Sequence, residues 1–204
     1  MIKKPSNWDT VEVMEFDHSP IELGGHKGII MKAEEYTSPQ SGKTSLKVYV
    51  DTASDDKQPE YFKKQYENDT RIDRKWSNSA IKYVPLGEEE NQIKMLKSFI
   101  TAYENSNNCQ FDWGKDWEQL KGKKIGIIFG QEEYTSQDGT TKLATKLNQF
   151  RSIDKVDNVK IPKVKLLDNS YVDYEEYINS KNSSNETFSN SGNVVEVSTD
   201  DLPF

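Results

Sequence analysis

The chain of 204 residues has little of what disulfides, metal sites and membrane spans are built from. Its one cysteine, Cys109, excludes an intramolecular disulfide, and with only two histidines it forms no recognisable zinc pattern. No stretch approaches the roughly 18 apolar residues that a membrane helix requires. The first five residues lack the apolar run of a secretory signal. We therefore expect a cytoplasmic protein that binds no membrane, metal or cofactor.

Core-forming residues are also scarce. Only 33% of the residues are hydrophobic, whereas 30% are charged. A chain of this length and composition cannot bury all of its segments. The composition therefore predicts one folded domain together with segments that have no fixed structure.

The net charge of −7 is concentrated at one end of the chain. From residue 167 onward there are eight acidic residues and one basic residue. Because the whole chain has 27 basic and 34 acidic residues, residues 1–166 are left with 26 of each. The acidic balance belongs to the C-terminal arm, which is typical of an interaction tail, and the body is not prevented from binding a polyanion.

Alternation of polar and apolar residues predicts a first β-hairpin. Its first strand covers about residues 26–37, and its inward side is predicted to be the apolar odd positions Ile29, Met31 and Ala33. A cluster of turn-forming residues at about 38–42 follows. The second strand covers about residues 44–52 and completes the hairpin.

A helix and a second hairpin are predicted further along the chain. A third strand lies within about 76–86, and a helix follows from about 88 to 106. The helical spacing of Ile93, Leu96, Ile100 and Tyr103 predicts that these four residues face the core. Strands at about 123–134 and 140–153 are joined by the two-residue turn Asp138-Gly139. Two hairpins separated by a helix predict a mainly β (α+β) fold, a small, partly open barrel of about five strands of the oligonucleotide-binding (OB) class with an inserted helix.

The predicted organisation has three parts. Residues 1–24 form an extended N-terminal segment, and residues 25–166 form the OB-like domain. Residues 167–204 form a disordered acidic tail. Within this tail, residues 179–193 hold ten Asn or Ser among fifteen, a composition that cannot bury enough apolar area to fold.

The predicted outward faces mix aromatic rings with cations, which is what non-specific binding of single strands requires. Rings stack on bases, at roughly 1–3 kcal/mol per base, and cations contact phosphates. Glu34 and Asp51 on the same faces count against this interpretation, and tyrosines also simply suit strands. The candidate nucleic-acid-binding residues are Lys32, Tyr36, Lys47, Tyr49, Arg74, Trp76, Lys124, Tyr134, Lys142, Lys146 and Phe150.

The most specific motif is formed by the last five residues, Asp200, Asp201, Leu202, Pro203 and Phe204. They resemble the C-terminal tip of bacterial single-stranded DNA-binding proteins, which ends in consecutive aspartates, an aliphatic residue, Pro and Phe. A basic-rimmed apolar pocket can take the ring and the carboxylate of Phe204 together, and Pro203 limits the entropy lost on docking. The resemblance implies that replication, recombination and repair proteins dock on this tip.

Four segments of the body carry a second resemblance: Gly24–Gly28, Ser98–Asn107, Leu120–Lys123 and Gly126–Tyr134. Together they resemble a family of phage proteins from low-GC Gram-positive bacteria that are encoded in replication and recombination gene clusters. This resemblance implies an OB-like fold and single-strand binding.

The sequence therefore predicts a non-enzymatic single-stranded DNA-binding protein for phage DNA replication, recombination and repair. One alternative is an adaptor or decoy that binds host replication or repair proteins through its tail without coating DNA. The other alternative is a metal-dependent nuclease, which would have to use Asp51, Glu132, Glu133 and Lys142, and no spacing supports it. Assembly into a homo-oligomer is left open by the sequence.

Overall fold

The computed structural model describes residues 3, 4, 6, 9, 10, 19–157 and 159–189, and the side chains as far as residue 181. The described chain is of mixed α+β class. Its strands are β1 (Gly24–Thr37), β2 (Thr44–Thr52), β3 (Ile81–Pro85), β4 (Lys124–Thr135), β5 (Thr141–Arg151), β6 (Val164–Lys165) and β7 (Tyr171–Val172). Its α-helices are α1 (Tyr61–Asn68), α2 (Glu90–Asn107) and α3 (Tyr174–Ser189).

The strands form one open sheet in the order β3-β2-β1-β4-β6-β7, and β5 pairs with β4 as well. The ladders of the first five strands are antiparallel, and β6 runs parallel to β4. In the part of the chain that is described, β3 and β5 contact each other but share no ladder, and α2 contacts both strands. The mixed class and the helix between the two hairpins are confirmed. The five strands of the predicted barrel are not confirmed, because the sheet of the described residues has seven strands and is open, with two short strands from residues 164–172 extending it.

The first hairpin and the second hairpin begin and end close to where the alternation predicts. β2 has the predicted bounds, and β1, β4 and β5 differ from theirs by at most two residues. The position of the turn is confirmed, but its length is not: the Ser136 N–H donates to the Thr140 carbonyl at 2.9 Å, so the loop has the three residues 137–139 and not two. Gly139 has φ +79°, a conformation that favours glycine in such turns.

A β-bulge at Met31 interrupts the pleat of β1. The register pairs Ile30 with Val50 and Lys32 with Tyr49, so Met31 has no partner of its own on β2. An unpaired extra residue of this kind bends the strand and shifts its alternation by one. The inward side of β1 therefore changes from even to odd positions at the bulge.

The prediction for the inward side of β1 is correct only after the bulge. Ala33 is buried, as predicted. Ile29 and Met31 are only half-buried, whereas Ile30, which was not predicted to face the core, is completely buried. The three consecutive apolar residues at 29–31 hide the change of phase from the sequence.

The hydrophobic core lies between the sheet and the C-terminal half of α2. The exposed N-terminal half of the helix includes Ile93 and Met95, which are 50% and 47% exposed. Helical spacing alone assigned Ile93 to the core, and that assignment is wrong. The buried residues include Ile30, Leu46, Val48, Val50, Ile125, Ile127, Phe129 and Leu147 from the sheet and Phe99, Ile100, Ala102 and Tyr103 from α2.

Two glycines allow the chain after β5 to pack directly on β1 and β4. A Cβ atom on Gly25 would lie 1.9 Å from the carbonyl oxygen of Val156. A Cβ atom on Gly126 would lie 2.5 Å from Cγ1 of Val156 and 2.7 Å from the carbonyl oxygen of Arg151. Because these distances are far below a carbon–oxygen or carbon–carbon contact, any larger residue displaces backbone.

Residues 164–181 fold against β4, beyond the predicted end of the domain at residue 166. Tyr177 of α3 is buried, and its hydroxyl donates to Oε1 of Glu133 at 2.8 Å. The Leu167 N–H donates to Oε2 of the same carboxylate at 3.2 Å. Burial, together with this hydrogen bond, raises the pKa of Tyr177 to about 12.

The structure thus differs from the predicted disorder over residues 167–189, where β7 and α3 occur. The acidic residues Glu175 and Glu176 in the first turn of α3 suit the positive end of the helix. Residues 190–204, which include the predicted docking tip, lie outside the described residues, as do most of residues 1–18 with Trp8 and Phe16.

A buried histidine–aspartate pair ties β1 to the loop after β2. Nδ1 of His26 lies 2.8 Å from Oδ2 of Asp56, and Nε2 lies 3.1 Å from the carbonyl oxygen of Glu22. The N–H groups of Lys27 and Gln58 donate to the same aspartate at 2.7 and 3.0 Å. Burial alone would raise the pKa of Asp56, but the hydrogen bonds, the one from His26 foremost, hold it below its ordinary value.

We expect Asp56→Asn to lower the free energy of unfolding at pH 7 by about 2 kcal/mol, because it weakens hydrogen bonds to a buried charge. The lowered pKa means that the carboxylate stabilises the fold above the ordinary aspartate pKa, and that this contribution is lost as pH falls through the folded value. Urea unfolding at pH 7 and pH 3 measures both effects. The variant should lose less stability than the parent on acidification, and an equal loss would contradict the assignment; Asp55→Asn, at an exposed neighbour, is the control.

Candidate nucleic-acid interface

The side of β1, β2 and β3 that faces away from the core carries a cluster of aromatic and charged side chains. In the ladders, Lys32 lies opposite Tyr49, and Lys47 lies between Glu34 and Tyr83. Directly opposite residues of an antiparallel ladder point to the same side of the sheet. We call this cluster the tyrosine–lysine face, and it consists of Lys32, Glu34, Tyr36, Lys47, Tyr49 and Tyr83.

Lys47 occupies the centre of the tyrosine–lysine face. Its ammonium nitrogen lies 5.0 Å from the ring centroid of Tyr49, 5.6 Å from that of Tyr36 and 5.8 Å from that of Tyr83. Each distance is within the range of a cation–π interaction. The neighbouring Tyr49 hydroxyl raises the pKa of Lys47, so the face keeps a positive charge over an aromatic floor.

Tyr36 and Tyr83 are the rings of this face that a ligand can reach. Their centroids are 5.5 Å apart at an interplanar angle of 58°, and the residues are 37% and 45% exposed. Tyr49 is different, because it is half-buried and its hydroxyl donates to Oε1 of Glu34 at 2.7 Å. Tyr36 and Tyr83 therefore supply the stacking surface, and Tyr49 supports it.

Glu34 places one negative charge inside the tyrosine–lysine face. Its Oε2 lies 2.5 Å from Nζ of Lys32. The hydrogen bond from Lys32, followed by that from Tyr49, holds the pKa of Glu34 below its ordinary value. Glu34 is therefore ionised at neutral pH, where it engages Lys32 and repels an approaching phosphate.

We expect Glu34→Gln to strengthen binding of oligo-dT roughly 5-fold at low salt, because it removes the repulsion and releases Lys32 for a phosphate. The log–log dependence on salt should become steeper by about 0.7, the value for one more phosphate contact with a single strand. Fluorescence anisotropy of a labelled oligonucleotide measures both quantities. Glu67→Gln on the exposed side of α1 is the matched control, and equal gains in the two variants would exclude a role for Glu34.

The structure brings together four of the predicted binding residues, Lys32, Tyr36, Lys47 and Tyr49. Arg74 and Trp76 belong to a separate cluster: the Arg74 guanidinium lies 5.3 Å from the ring of Tyr66, which lies 5.8 Å from that of Trp76. The indole N–H of Trp76 donates to the backbone carbonyl of β2 at 3.0 Å, and its ring packs on the core. Part of the Trp76 ring is therefore used to close the core, and its role in stacking stays a prediction.

The predicted outward position of Phe150 is wrong. A second bulge at Asn148 shifts the alternation of β5, since consecutive residues of β4 pair with Gln149 and Leu147. Phe150 and Leu147 therefore both face the core. The ring of Phe150 lies 4.9 Å from that of Phe99 in α2.

The remaining predicted residues lie on β4 and β5. Tyr134 is directly opposite Lys142 near the hairpin turn, with Lys146 further along β5, and Lys142 binds Asp138 at 3.0 Å. Lys124 stands at the other end of β4, roughly 33 Å from Tyr134 at the usual rise per strand residue. Lys124 therefore does not belong to the group at the turn.

Sequence reasoning missed Tyr83 and Trp113. Tyr83 stands between Lys82 and Val84 in the predicted third strand, so the alternation applied to β1 and β2 would have found it. Trp113 is 69% exposed in the loop after α2, and its ring packs edge to face on Phe111 at 4.8 Å. No periodic pattern covers that loop.

Among the residues described, no three metal-binding side chains come together. Asp51, predicted to lie on the open face, is buried and accepts hydrogen bonds from the N–H groups of Thr52, Phe62 and Lys63 at 2.8, 2.8 and 3.2 Å. It thus caps the first turn of α1, where burial raises its pKa. Its carboxylate does not oppose the lysines of the tyrosine–lysine face.

No protein-family model matches this chain, and no curated protein matches it either. Within the described ranges, no helix has both the length and the apolar character needed to span a bilayer. Function therefore has to be inferred from the side chains of the tyrosine–lysine face.

Proposed function

We propose that the protein binds single-stranded DNA without sequence preference on the tyrosine–lysine face of an OB-like sheet, in phage DNA replication, recombination or repair. The observation that carries this proposal is the position of the Lys47 ammonium within 5.8 Å of three tyrosine rings. Two of these rings, Tyr36 and Tyr83, form an exposed pair beside it.

The chemistry of the face suits a strand in which bases and phosphates alternate. Bases stack on Tyr36 and Tyr83, and a phosphate between them contacts Lys47, while Lys32 stays engaged with Glu34. Every base has an aromatic face, so stacking tolerates any sequence. No step of this kind makes or breaks a covalent bond, and the proposed protein is a binding protein and not an enzyme.

A titration of labelled oligo-dT with the full chain at two salt concentrations tests the proposal. We expect binding at low salt with a log–log salt slope of about −0.7 or steeper, where −0.7 is the value for the one phosphate contact with Lys47. A duplex of equal length should bind more weakly, because its bases are stacked on each other. Absence of binding to oligo-dT in dilute buffer would refute the proposal.

The second part of the proposal concerns partner proteins and rests on the resemblance of Asp200–Phe204 to the tip of bacterial single-stranded DNA-binding proteins. We expect deletion of Leu202–Phe204 to abolish capture of replication and repair proteins while leaving oligo-dT affinity equal or slightly higher, because the acidic residues compete with phosphate. Pulldown and anisotropy on the same preparations measure the two activities. Loss of DNA binding in the deletion would contradict the division of roles.

The same measurements identify the alternative, an adaptor or decoy that uses only its tail. Such a protein would capture partners and show no affinity for oligo-dT. The exposed Tyr36–Tyr83 pair favours the DNA-binding protein, because an adaptor of this kind has no use for rings on the sheet.

A further inference from the structure

A cleft of about 280 Å³ opens between β3, β5 and α2, where β3 and β5 share no ladder. This volume is close to the lower limit of roughly 300 Å³ for small-molecule sites, so the cleft admits one ring system and not an extended ligand. Its lining includes Lys82, Tyr83, Lys94, Phe99, Asn148 and Phe150. It therefore combines aromatic rings, amides and cations in one small space.

Lys82 is the unusual residue of this cleft. It is half-buried, and among the described residues no carboxylate lies within 4.0 Å of its ammonium group. Burial lowers its pKa, which Glu132 partly offsets from beyond ion-pair distance. A half-buried cation without an ion-pair partner costs stability, and such costs occur characteristically at functional positions. An anionic ligand in the cleft would supply the missing partner.

The other wall of the cleft has the groups that recognise a base. Phe150 is half-buried, with one side of its ring against Phe99 and the rest bordering the cleft. Asn148, the extra residue in the bulge of β5, and Gln149 also border the cleft. Amides both donate and accept hydrogen bonds, as the edge of a base requires.

Tyr83 connects the cleft with the tyrosine–lysine face. It lines the cleft and also lies 5.5 Å from the ring of Tyr36. Lys82 and Tyr83 are neighbours in β3 and point to opposite sides of this edge strand. A DNA strand that stacks on Tyr36 and Tyr83 therefore reaches Lys82 by crossing the edge of β3.

We propose that this cleft binds one nucleotide of a bound single strand, with its base on Phe150 and its phosphate at Lys82. The inference rests on the proposed function and deepens it, because the amides give the protein a base preference at one position of an otherwise unselective site. Lys94 also lines the cleft, but its charge is balanced by Glu90 at 2.6 Å, so Lys82 is the cation left for a phosphate.

Photocrosslinking locates the nucleotide directly. Oligo-dT carrying 5-iodouracil is bound to the full chain, irradiated and mapped after trypsin digestion. We expect crosslinks in the tryptic peptide 147–151, which holds Asn148 and Phe150, as well as in peptide 33–43, which holds Tyr36. Crosslinks confined to peptides 33–43, 48–57 and 83–94 would contradict nucleotide binding in the cleft but would still support binding on the tyrosine–lysine face.

The variant Lys82→Met tests the phosphate contact. We expect oligo-dT affinity to fall 5- to 10-fold and the salt slope to flatten by about 0.7, the value for one lost phosphate contact. The thermal midpoint should stay equal or rise, because an apolar side chain replaces a half-buried charge. Lys82→Arg should keep the salt slope, and Lys115→Met, at an exposed lysine held 3.3 Å from Asp112, is the control.

The outcomes separate the two proposals. Normal affinity in Lys82→Met together with weakened binding in Tyr36→Ala overturns the cleft alone. Failure of the unmodified chain to bind oligo-dT overturns the proposed function, and the cleft with it.

Discussion

Affinity for oligo-dT is expected to fall roughly 100-fold when Tyr36 and Tyr83 are both replaced by alanine, because each ring contributes roughly 1–3 kcal/mol of stacking with a base. The salt slope should stay unchanged, since Lys32 and Lys47 remain. Anisotropy titrations at several salt concentrations measure affinity and slope together. Both residues are exposed on the sheet surface, so the fold should not suffer.

Two controls make this result specific to the rings. Tyr171→Ala removes a tyrosine that is 59% exposed on β7, away from the tyrosine–lysine face, and should bind like the parent. The double replacement of Tyr36 and Tyr83 by phenylalanine keeps the aromatic surface and should stay within about threefold of the parent. An alanine variant that binds normally, or a phenylalanine variant as weak as the alanine one, would count against stacking.

Replacing Gly25 by alanine is expected to destabilise the fold by about 3 kcal/mol, at the upper end of the usual cost of overpacking. The new Cβ would stand 1.9 Å from the Val156 carbonyl oxygen, and this obstacle is backbone, which cannot rotate away. For a chain of this size the thermal midpoint should fall by roughly 6–12 °C. Thermal unfolding followed by circular dichroism measures the shift.

Gly114→Ala is the matched control, because its new Cβ would meet only the flexible Asp112 side chain at 3.2 Å. A Gly25→Ala protein as stable as this control would show that the chain at Val156 does not pack on β1. Gly25 belongs to the first of the segments that carry the resemblance of the body to phage proteins, and the close approach gives a structural reason for glycine there.

Strict alternation predicted most of the sheet because a strand with one buried face has apolar residues on that face and polar residues on the other. β2 is the clearest case, with Leu46, Val48 and Val50 buried and Lys47 and Tyr49 directed outward. Those outward residues led to the centre of the tyrosine–lysine face. The turn at Asp138-Gly139 was equally predictable, because only a few residue types adopt its backbone conformation.

The two bulges explain the main errors in assigning residues of β1 and β5 to the core or the surface, because the sequence does not show which residue of a strand is unpaired. At Met31 three apolar residues in a row hide the shift, and at Asn148 the shift turns Phe150 from the surface to the core. The cleft beside Phe150 could not be predicted from the periodicity of the sequence or from any motif. It arises where β3 and β5 approach in space, and residues 82 and 150 are too distant in sequence for a local pattern to link them.

The C-terminal part of the domain was missed for a different reason. β6 and β7 have two residues each, too few for alternation to be recognised. Polar composition suggested disorder in α3, yet Tyr177 donates a hydrogen bond to Glu133, and Lys181 lies 3.8 Å from the same carboxylate. One buried aromatic residue with a hydrogen-bond partner outweighs an otherwise polar segment.

The bulge at Met31 also means that one residue of β1 could be removed without changing which side chains face the core and which face outward. Since Met31 is the residue without a partner, removing it would restore a regular pleat in which Ile30 and Ala33 still face inward and Lys32 still faces outward. Only the bend that the bulge introduces would disappear. Deletion of this one residue would therefore change the path of a bound strand while every residue that contacts the strand stays the same. Both evolution and protein engineering could use such a deletion.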